Sequence, residues 1–124
     1  MADNDLKVII KAKELMKHTY ILTSNINRYP KKYRHSLVDR IQNKSMDIYE
    51  FLLEANRTNN ATDKRLRCET ITKAITCCDE LLTYIELSME LKLLNDKSSA
   101  YWSKMVTDVK CMSIAWRTSE RKRN

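Results

Sequence analysis

The chain has 124 residues, no glycine, a single proline (Pro30) and a formal net charge of +7. Average usage is about 7% Gly and 5% Pro, and the phosphate-binding loops of Rossmann, Walker and kinase folds, EF-hand loops and most tight hairpins all need Gly. The composition therefore excludes these classes and predicts long helices joined by short polar connections.

Two amphipathic helices are predicted in the first half of the chain. The first covers about residues 5–27. Its apolar seam alternates spacings of four and three and consists of Val8, Ala12, Leu15, Thr19, Leu22 and Ile26. The second covers about residues 31–58, because Pro30 disfavours helix at Tyr29 but suits the first turn of a helix.

Two further helices are predicted in the second half. The third covers about residues 64–94, with Thr62 or Asp63 as its N-cap, and carries a broad apolar stripe. The fourth covers about residues 98–119 and leaves a basic tail over 117–124. Four such helices with short connections predict one all-α domain over residues 1–124, an antiparallel up-down four-helix bundle. The width of the third stripe indicates self-association.

In an up-down bundle, three basic segments would meet at one end. Their cationic residues are Lys7, Lys11, Lys64, Arg65, Arg67, Lys73, Arg117, Arg121, Lys122 and Arg123. At the opposite end, a second basic group precedes or begins the second helix and faces an acidic end of the third helix. That group comprises Arg28, Lys31, Lys32 and Arg34. We predict that these fourteen side chains bind nucleic acid.

Charge clustering of this kind favours a polyphosphate ligand, whose binding releases counterions and weakens with salt. No helix-turn-helix, zinc finger or RNP aromatic pattern accompanies it, so backbone- and shape-driven binding is expected. Tyr29, beside Arg28 and Lys31, is the one aromatic residue that we assign a surface role, with stapling of the helix entry through Pro30 as the alternative. A basic bundle without a nucleic-acid role is the alternative that charge alone leaves open.

Catalytic and cofactor sites are not expected. His18 follows Glu14 by four residues and His35 precedes Asp39 by four, which suits a carboxylate-oriented base but also an ordinary surface ion pair. Two His residues on separate helices cannot build a di-iron site, and no C-x-x-C spacing occurs. We therefore predict no enzymatic activity, no metal, no cofactor, and cysteines that are buried or idle thiols.

Several segments nevertheless resemble a known family. Residues 28–34 (RYPKKYR), 48–56, 81–94 and 111–117 look like the accessory variability determinant (Avd) proteins of diversity-generating retroelements. A sister family, the bundle proteins encoded by intervening sequences in bacterial large-subunit ribosomal RNA genes, shares a proline near the start of its second helix. That family typically has a Glu-Gly step where this chain has Glu54 followed by Ala55, which favours the Avd side.

The Avd resemblance implies a positively charged homopentamer of four-helix bundles with no catalysis of its own. It implies that the protein binds a reverse transcriptase and its structured template RNA, with DNA as the alternative ligand, during mutagenic retrohoming. A rival hypothesis is a protein-interaction bundle of the intervening-sequence type, in which the acidic end of the third helix recruits a basic partner. A small hydrolase or nuclease that uses His18 or His35 is a third.

The chain contains no run of eighteen apolar residues, and residues 1–5 are acidic, unlike a signal peptide. We therefore expect a cytoplasmic protein with no membrane partner, and the Avd resemblance implies a bacterial, archaeal or phage origin.

Overall fold

The computed structural model describes the backbone of residues 3–123 and the side chains of residues 7–123. It contains four α-helices and, within residues 3–123, no strand: α1 (Asp3–Ser24), α2 (Asp39–Arg57), α3 (Asn60–Glu90) and α4 (Asp96–Lys122). The predicted all-α class with four helices is confirmed. Two sequence predictions concern residues whose side chains the structure does not describe. They are the acidic start of the chain, residues 1–5, and the last residue of the predicted basic tail, Asn124.

The first helix ends three residues earlier than predicted. Asn25 competes with the helix, since its side chain accepts a hydrogen bond from Asn27 N at 2.9 Å and its carbonyl accepts one from Tyr29 N at 2.8 Å. Ile26, expected in the apolar seam, is consequently 56% exposed. The remainder of the seam faces the core, with Val8, Ala12, Leu15 and Thr19 fully buried and Leu22 partly buried.

The second helix does not begin as a regular helix at residue 31. Pro30 is followed by a 3₁₀ turn (Lys31–Tyr33) and a π-helical turn (Arg34–Val38), and α2 starts only at Asp39. The carbonyl of Pro30 accepts a hydrogen bond from Tyr33 N at 2.9 Å, which tightens the first turn. The wider turn that follows carries two adjacent apolar side chains, Leu37 and Val38, into the core.

The third helix has an irregular first turn and a well-defined end. Asp63 has non-helical dihedral angles (φ −149°, ψ 50°), so the uninterrupted helix begins at residue 64 as predicted. The N-cap is Asn59, whose side chain accepts from Ala61 N at 2.8 Å, and not Thr62 or Asp63. The helix ends four residues before the predicted position, because Lys92 adopts a left-handed conformation (φ 62°).

The fourth helix is longer than predicted at both ends. Asn95 accepts a hydrogen bond from Ser98 N at 2.7 Å and starts α4 at Asp96. At the other end the helix continues to Lys122, because Glu120 is buried in the protein and holds the last turn in place. The residues assigned to a basic tail therefore form mostly the last turns of α4.

The helices pack in a ring around one core. α1 contacts α2 and α4, and α3 contacts the same two helices. At the centre, the fully buried indole of Trp102 donates a hydrogen bond to Thr19 Oγ1 at 3.0 Å. Burial of one large apolar side chain contributes about 1.5–3 kcal/mol, so the predicted seams supply most of the stabilising contacts. Ile71, Ala74, Cys78 and Leu81 confirm the apolar stripe of α3.

Candidate nucleic-acid interface

The start of α3 and the end of α4 are held together by side-chain contacts. Arg117 Nη1 donates to Thr72 Oγ1 at 3.0 Å, and Lys64 Nζ donates to the carbonyl of Arg123. These contacts bring together two of the three basic segments predicted to meet. We call the resulting set the basic cluster, and it consists of Lys64, Arg65, Lys73, Arg117, Arg121, Lys122 and Arg123.

Most cations of the basic cluster face solvent. Lys64 and Arg117 are half-buried and the other five are exposed or partly exposed. Two are paired with carboxylates, Arg65 with Glu69 at 2.9 Å and Arg123 with Glu120 at 3.2 Å. Over the part of the chain that the structure describes, Lys73, Arg121 and Lys122 form no ion pair, so their charge is available to an anionic ligand.

A groove of about 560 Å³ runs through the basic cluster between α3 and α4. Its lining residues are Lys64, Arg65, Cys68, Glu69, Thr72 and Arg121. Its lining includes two cations from α3, Lys64 and Arg65, and one from α4, Arg121. An extended anion could therefore contact both helices at once, which a cluster on one helix would not allow.

Arg67, predicted to bind nucleic acid, lies inside the protein. The residue is 7% exposed, and its guanidinium donates to the Thr58 carbonyl at 2.8 Å and to Glu120 Oε1 at 3.1 Å. Its Cζ also lies 5.2 Å from the centre of the Trp116 ring. Arg67 thus stabilises the junction of α3 and α4, and its predicted contact with phosphate is wrong.

Glu120 is the centre of this buried junction and was not singled out in the sequence. Besides Arg67, its carboxylate accepts hydrogen bonds from Trp116 Nε1 at 3.0 Å and from the Asn60 side chain. The spacing of Trp116 and Glu120, four residues apart on α4, places both on one face. This spacing is the one sequence signal that could have linked Glu120 to Trp116. The residues next to Glu120 in the sequence are mostly basic and give no indication that its side chain is buried.

The third basic segment, on α1, does not join the basic cluster. Lys11 is exposed, lies 3.7 Å from Glu14, and shares a small groove with Tyr101, Lys104 and Asp108 of α4. Asp108 precedes Arg121 by thirteen residues, which is about 20 Å along the helix. Lys7 is exposed one turn before Lys11. The prediction that all three segments meet is therefore wrong for Lys11.

The second basic group lies at the start of α4 and before α2. Arg28 is half-buried and donates to Ser98 Oγ at 2.7 Å. The other three cations of this group lie at the surface. Two of them, Lys31 and Arg34, line a groove together with Asp39. The third is Lys32, whose Nζ lies 5.2 Å from the Tyr33 ring centre. This group has the expected exposure but is divided between two grooves.

No protein-family model matches the chain, and no curated protein is significantly similar to it. Among residues 3–123, no helix combines the length and apolar character needed to cross a membrane. In the same part of the chain, no group of three or more His, Cys, Asp or Glu side chains is arranged to hold a metal ion. The chemistry of the exposed charges is therefore what indicates a function.

Tyr29 is buried, and its predicted surface role is wrong. The residue is 2% exposed and belongs to the core, and burial raises the pKa of its hydroxyl to about 12. The turn that Asn25 initiates, followed by Pro30, directs the ring inward. Tyr29 thus anchors the connection between α1 and α2, which is the stapling role that a residue beside a helix start often has.

The two histidines differ in their contacts, and the cysteines differ in their burial. His35 Nδ1 lies 3.3 Å from Asp39 Oδ2, as the spacing predicted, on a side chain that is 88% exposed. His18 instead packs against Tyr101, while Glu14 pairs with Lys11. Cys68, Cys77 and Cys78 are buried free thiols, and burial raises the pKa of Cys78 to about 12, whereas Cys111 is exposed.

The acidic end predicted for α3 is partly neutralised. Asp79 lies 2.6 Å from Lys110 of α4, and Glu80 lies 3.0 Å from Lys44 of α2. These contacts join neighbouring helices, and both carboxylates keep part of their surface exposed. Glu86 and Glu90 remain exposed.

Proposed function

We propose that this protein is a non-enzymatic nucleic-acid-binding accessory protein of the Avd type, which scaffolds a retroelement reverse transcriptase and its structured template RNA. The observation that supports this most is the basic cluster, in which Lys73, Arg121 and Lys122 have no acidic partner within the described residues. Of these three, Arg121 also lines the groove between α3 and α4. Exposed positive charge of this kind suits a sugar-phosphate backbone.

Binding would be driven by phosphates and not by bases. None of the seven residues of the basic cluster is aromatic, and the nearby Trp116 is only 4% exposed. Stacking of unpaired bases, which sequence-tolerant single-strand binding uses, has no platform at the cluster. The cluster therefore suits the backbone of folded, double-helical RNA, with duplex DNA as the alternative.

The proposed architecture is an antiparallel up-down bundle. Contacts between α3 and α4 pair Arg67 with Glu120 and Asp79 with Lys110, so positions that rise along one helix fall along the other. Between α2 and α3, Lys44 lies against Glu80, while Lys73 lies 5.9 Å from the Phe51 ring centre. Both pairs of contacts support neighbours that run in opposite directions.

We further propose that the bundle self-associates, as the homopentamer implied by the Avd resemblance. Large apolar side chains remain exposed on α1 and towards the end of α3. They include Ile10 (49%), Ile21 (62%), Leu87 (39%) and Leu91 (42%). Exposed large apolar side chains that group into a patch mark protein interfaces. The exposed residues on α3 agree with the expectation from its wide stripe, whereas those on α1 add a second surface.

The rival protein-interaction hypothesis has less support. It requires the acidic end of α3 as a docking surface, yet Asp79 and Glu80 already form ion pairs with neighbouring helices. The other three acidic residues of that end, Glu86, Glu90 and Asp96, are exposed and form no ion pair within the described residues, so they are the ones free to meet a basic partner. The nucleic-acid proposal rests on Lys73, Arg121 and Lys122, which form no ion pair within the described residues.

The test is a binding titration with a structured RNA hairpin at several salt concentrations. A Lys73→Ala/Arg121→Ala/Lys122→Ala variant should bind more weakly, and its log–log salt dependence should flatten by about 0.7–0.9 for each phosphate that is no longer neutralised. The matched control is Lys13→Ala/Lys17→Ala/Lys104→Ala, which removes the same charge from exposed sites elsewhere. Equal losses of affinity in both variants, or no salt-sensitive RNA binding by the native protein, would refute the site.

The retroelement role has its own test. A gene for a reverse transcriptase next to this one, with template and variable repeats, would support it. Co-purification of that enzyme with the native protein and with its template RNA is the biochemical counterpart. A neighbourhood within a ribosomal RNA gene would instead support the intervening-sequence family.

A further inference from the structure

A second groove, of about 340 Å³, lies between α1 and α4 and far from the basic cluster. It is lined by His18, Leu22, Arg28, Lys97, Ser98 and Tyr101. The two helices are joined at this level by Trp102 and Thr19, the sequence neighbours of Tyr101 and His18, since the indole of Trp102 donates to Thr19 Oγ1 at 3.0 Å. Lys97 precedes Arg121 by twenty-four residues of α4, about 36 Å along the helix, so the two grooves are separate sites.

One wall of this groove presents an aromatic ring. Tyr101 is 60% exposed, and it makes an edge-to-face contact with His18, with 5.3 Å between ring centres and 60° between ring planes. This contact orients the ring while much of its surface stays open to solvent. Leu22, one helical turn after His18, adds an apolar floor. An oriented and exposed tyrosine is the kind of platform on which nucleobases stack.

The same groove carries positive charge next to the ring. Arg28 donates to Ser98 Oγ at 2.7 Å, which holds the guanidinium at the start of α4, and Lys97 is exposed. Burial lowers the pKa of His18, so its imidazole is neutral near pH 7 and the charge comes from Arg28 and Lys97. The donors suit a phosphate, and the ring suits a flat heterocycle.

We propose that this groove binds a nucleotide, with its base stacked on Tyr101 and its phosphate held by Arg28 and Lys97. The nucleotide is either a free mononucleotide or an unpaired nucleotide within a bound strand, since both present the same chemistry. The site goes beyond the function proposed above, because it needs neither a duplex nor the basic cluster. It also supplies the stacking platform that the basic cluster lacks.

The first experiment compares AMP, adenosine and ribose 5-phosphate by calorimetry and by saturation-transfer NMR on the native protein. AMP should bind more tightly than either fragment, and saturation should reach its base protons. Tyr101→Ala should weaken AMP binding about tenfold, as expected for loss of one base–aromatic stack, while Tyr101→Phe should retain it. The control Tyr20→Ala removes a tyrosine that is 52% exposed on α1 outside this groove and should have no effect.

A second experiment distinguishes the two sources of the nucleotide. A ten-residue oligoadenylate is titrated into the native protein, into Tyr101→Ala and into Lys97→Ala, with Lys13→Ala as the charge-matched control. Binding of AMP identifies a free nucleotide as ligand, whereas Tyr101-dependent binding of the oligonucleotide alone identifies a nucleotide within a strand. Either result supports the site.

Three results would overturn the inference. They are ribose 5-phosphate binding as tightly as AMP, Tyr101→Ala binding like the native protein, and the absence of binding by both AMP and the oligonucleotide. Hairpin RNA binding through Lys73, Arg121 and Lys122 is measured separately. Loss of the nucleotide site would therefore leave the function proposed for the basic cluster intact, and the reverse also holds.

Discussion

Glu120 Oε1 accepts a hydrogen bond from Arg67 Nη2 at 3.1 Å inside the end of the bundle, where the two side chains are 2% and 9% exposed. Around this pair, Trp116 and Asn60 also donate to the carboxylate, and Arg67 donates to the Thr58 carbonyl. One buried charge pair thereby joins the α2–α3 connection to the last turn of α4. Three of the seven cations of the basic cluster, Arg121, Lys122 and Arg123, lie on that last turn or directly after it.

We expect Glu120→Ala to lower the free energy of unfolding by about 3–5 kcal/mol, because it removes the buried carboxylate that accepts hydrogen bonds from Arg67, Trp116 and Asn60. Urea denaturation followed by circular dichroism measures this. Glu69→Ala is the matched control, since it breaks an exposed pair with Arg65 within α3 and should cost less than about 1 kcal/mol.

A double replacement separates charge from packing at this position. Arg67→Met combined with Glu120→Leu removes both charges, and it should be clearly more stable than Glu120→Ala. If the double variant were as unstable as the single one, the loss of stability would come from packing and not from the broken Arg67–Glu120 ion pair. The distinction matters for function, because RNA-binding variants near this end must leave the junction intact.

Helix number and core positions were predictable from the sequence because both depend on local periodicity. Val8, Ala12 and Leu15 recur at helical spacing and are fully buried, and Ile71 and Leu81 behave likewise on α3. Long apolar stripes without glycine leave few other ways to fold. The start of the uninterrupted third helix at residue 64 also follows from a local signal, the polar run before it.

What the sequence did not reveal depends on contacts between distant residues. Arg67 is like any exposed cation in the sequence, and it is buried only because Glu120, fifty-three positions later, meets it. Tyr29 is drawn inward by a turn that begins at Asn25, although charged neighbours suggest a surface position. The Tyr101 groove likewise requires α1 beside α4. The basic cluster was therefore predictable in part, and the stacking groove was not.

Tyr29 makes stability depend on pH in the alkaline range. Burial raises the pKa of its hydroxyl from 10.0 to about 12, so the unfolded chain loses this proton at lower pH than the folded protein. Between pH 10 and 12 the unfolded state binds fewer protons, and stability falls as pH rises. At pH 11 the loss of stability from this group should be about 1.4 kcal/mol relative to pH 8.

Tyr29→Phe tests this directly, because it removes the ionising hydroxyl and keeps the ring. Urea denaturation at pH 8, 10 and 11 should show a smaller alkaline loss of stability in the variant than in the native protein. Tyr101→Phe is the control, since it removes an exposed hydroxyl and should leave the alkaline loss unchanged. An identical decline in the native protein and Tyr29→Phe would contradict the assignment.

Because the chain has no glycine, a lysine occupies the left-handed position at the end of α3. Lys92 has φ 62°, its N–H bonds to the Met89 carbonyl at 2.8 Å, and the N–H of Leu93 bonds to the Ser88 carbonyl at 2.9 Å. This is a Schellman motif, whose left-handed position is usually occupied by Gly because a Cβ there costs about 1–2 kcal/mol. Lys92→Gly should relieve that cost and, after the greater freedom of Gly in the unfolded chain is subtracted, stabilise the protein by about 1 kcal/mol. Glu90→Gly is the control, since it lies two residues earlier within the helix and should destabilise the protein by about 1 kcal/mol. Urea denaturation measures both variants. A loss of stability in both would show that the left-handed backbone at Lys92 is not strained.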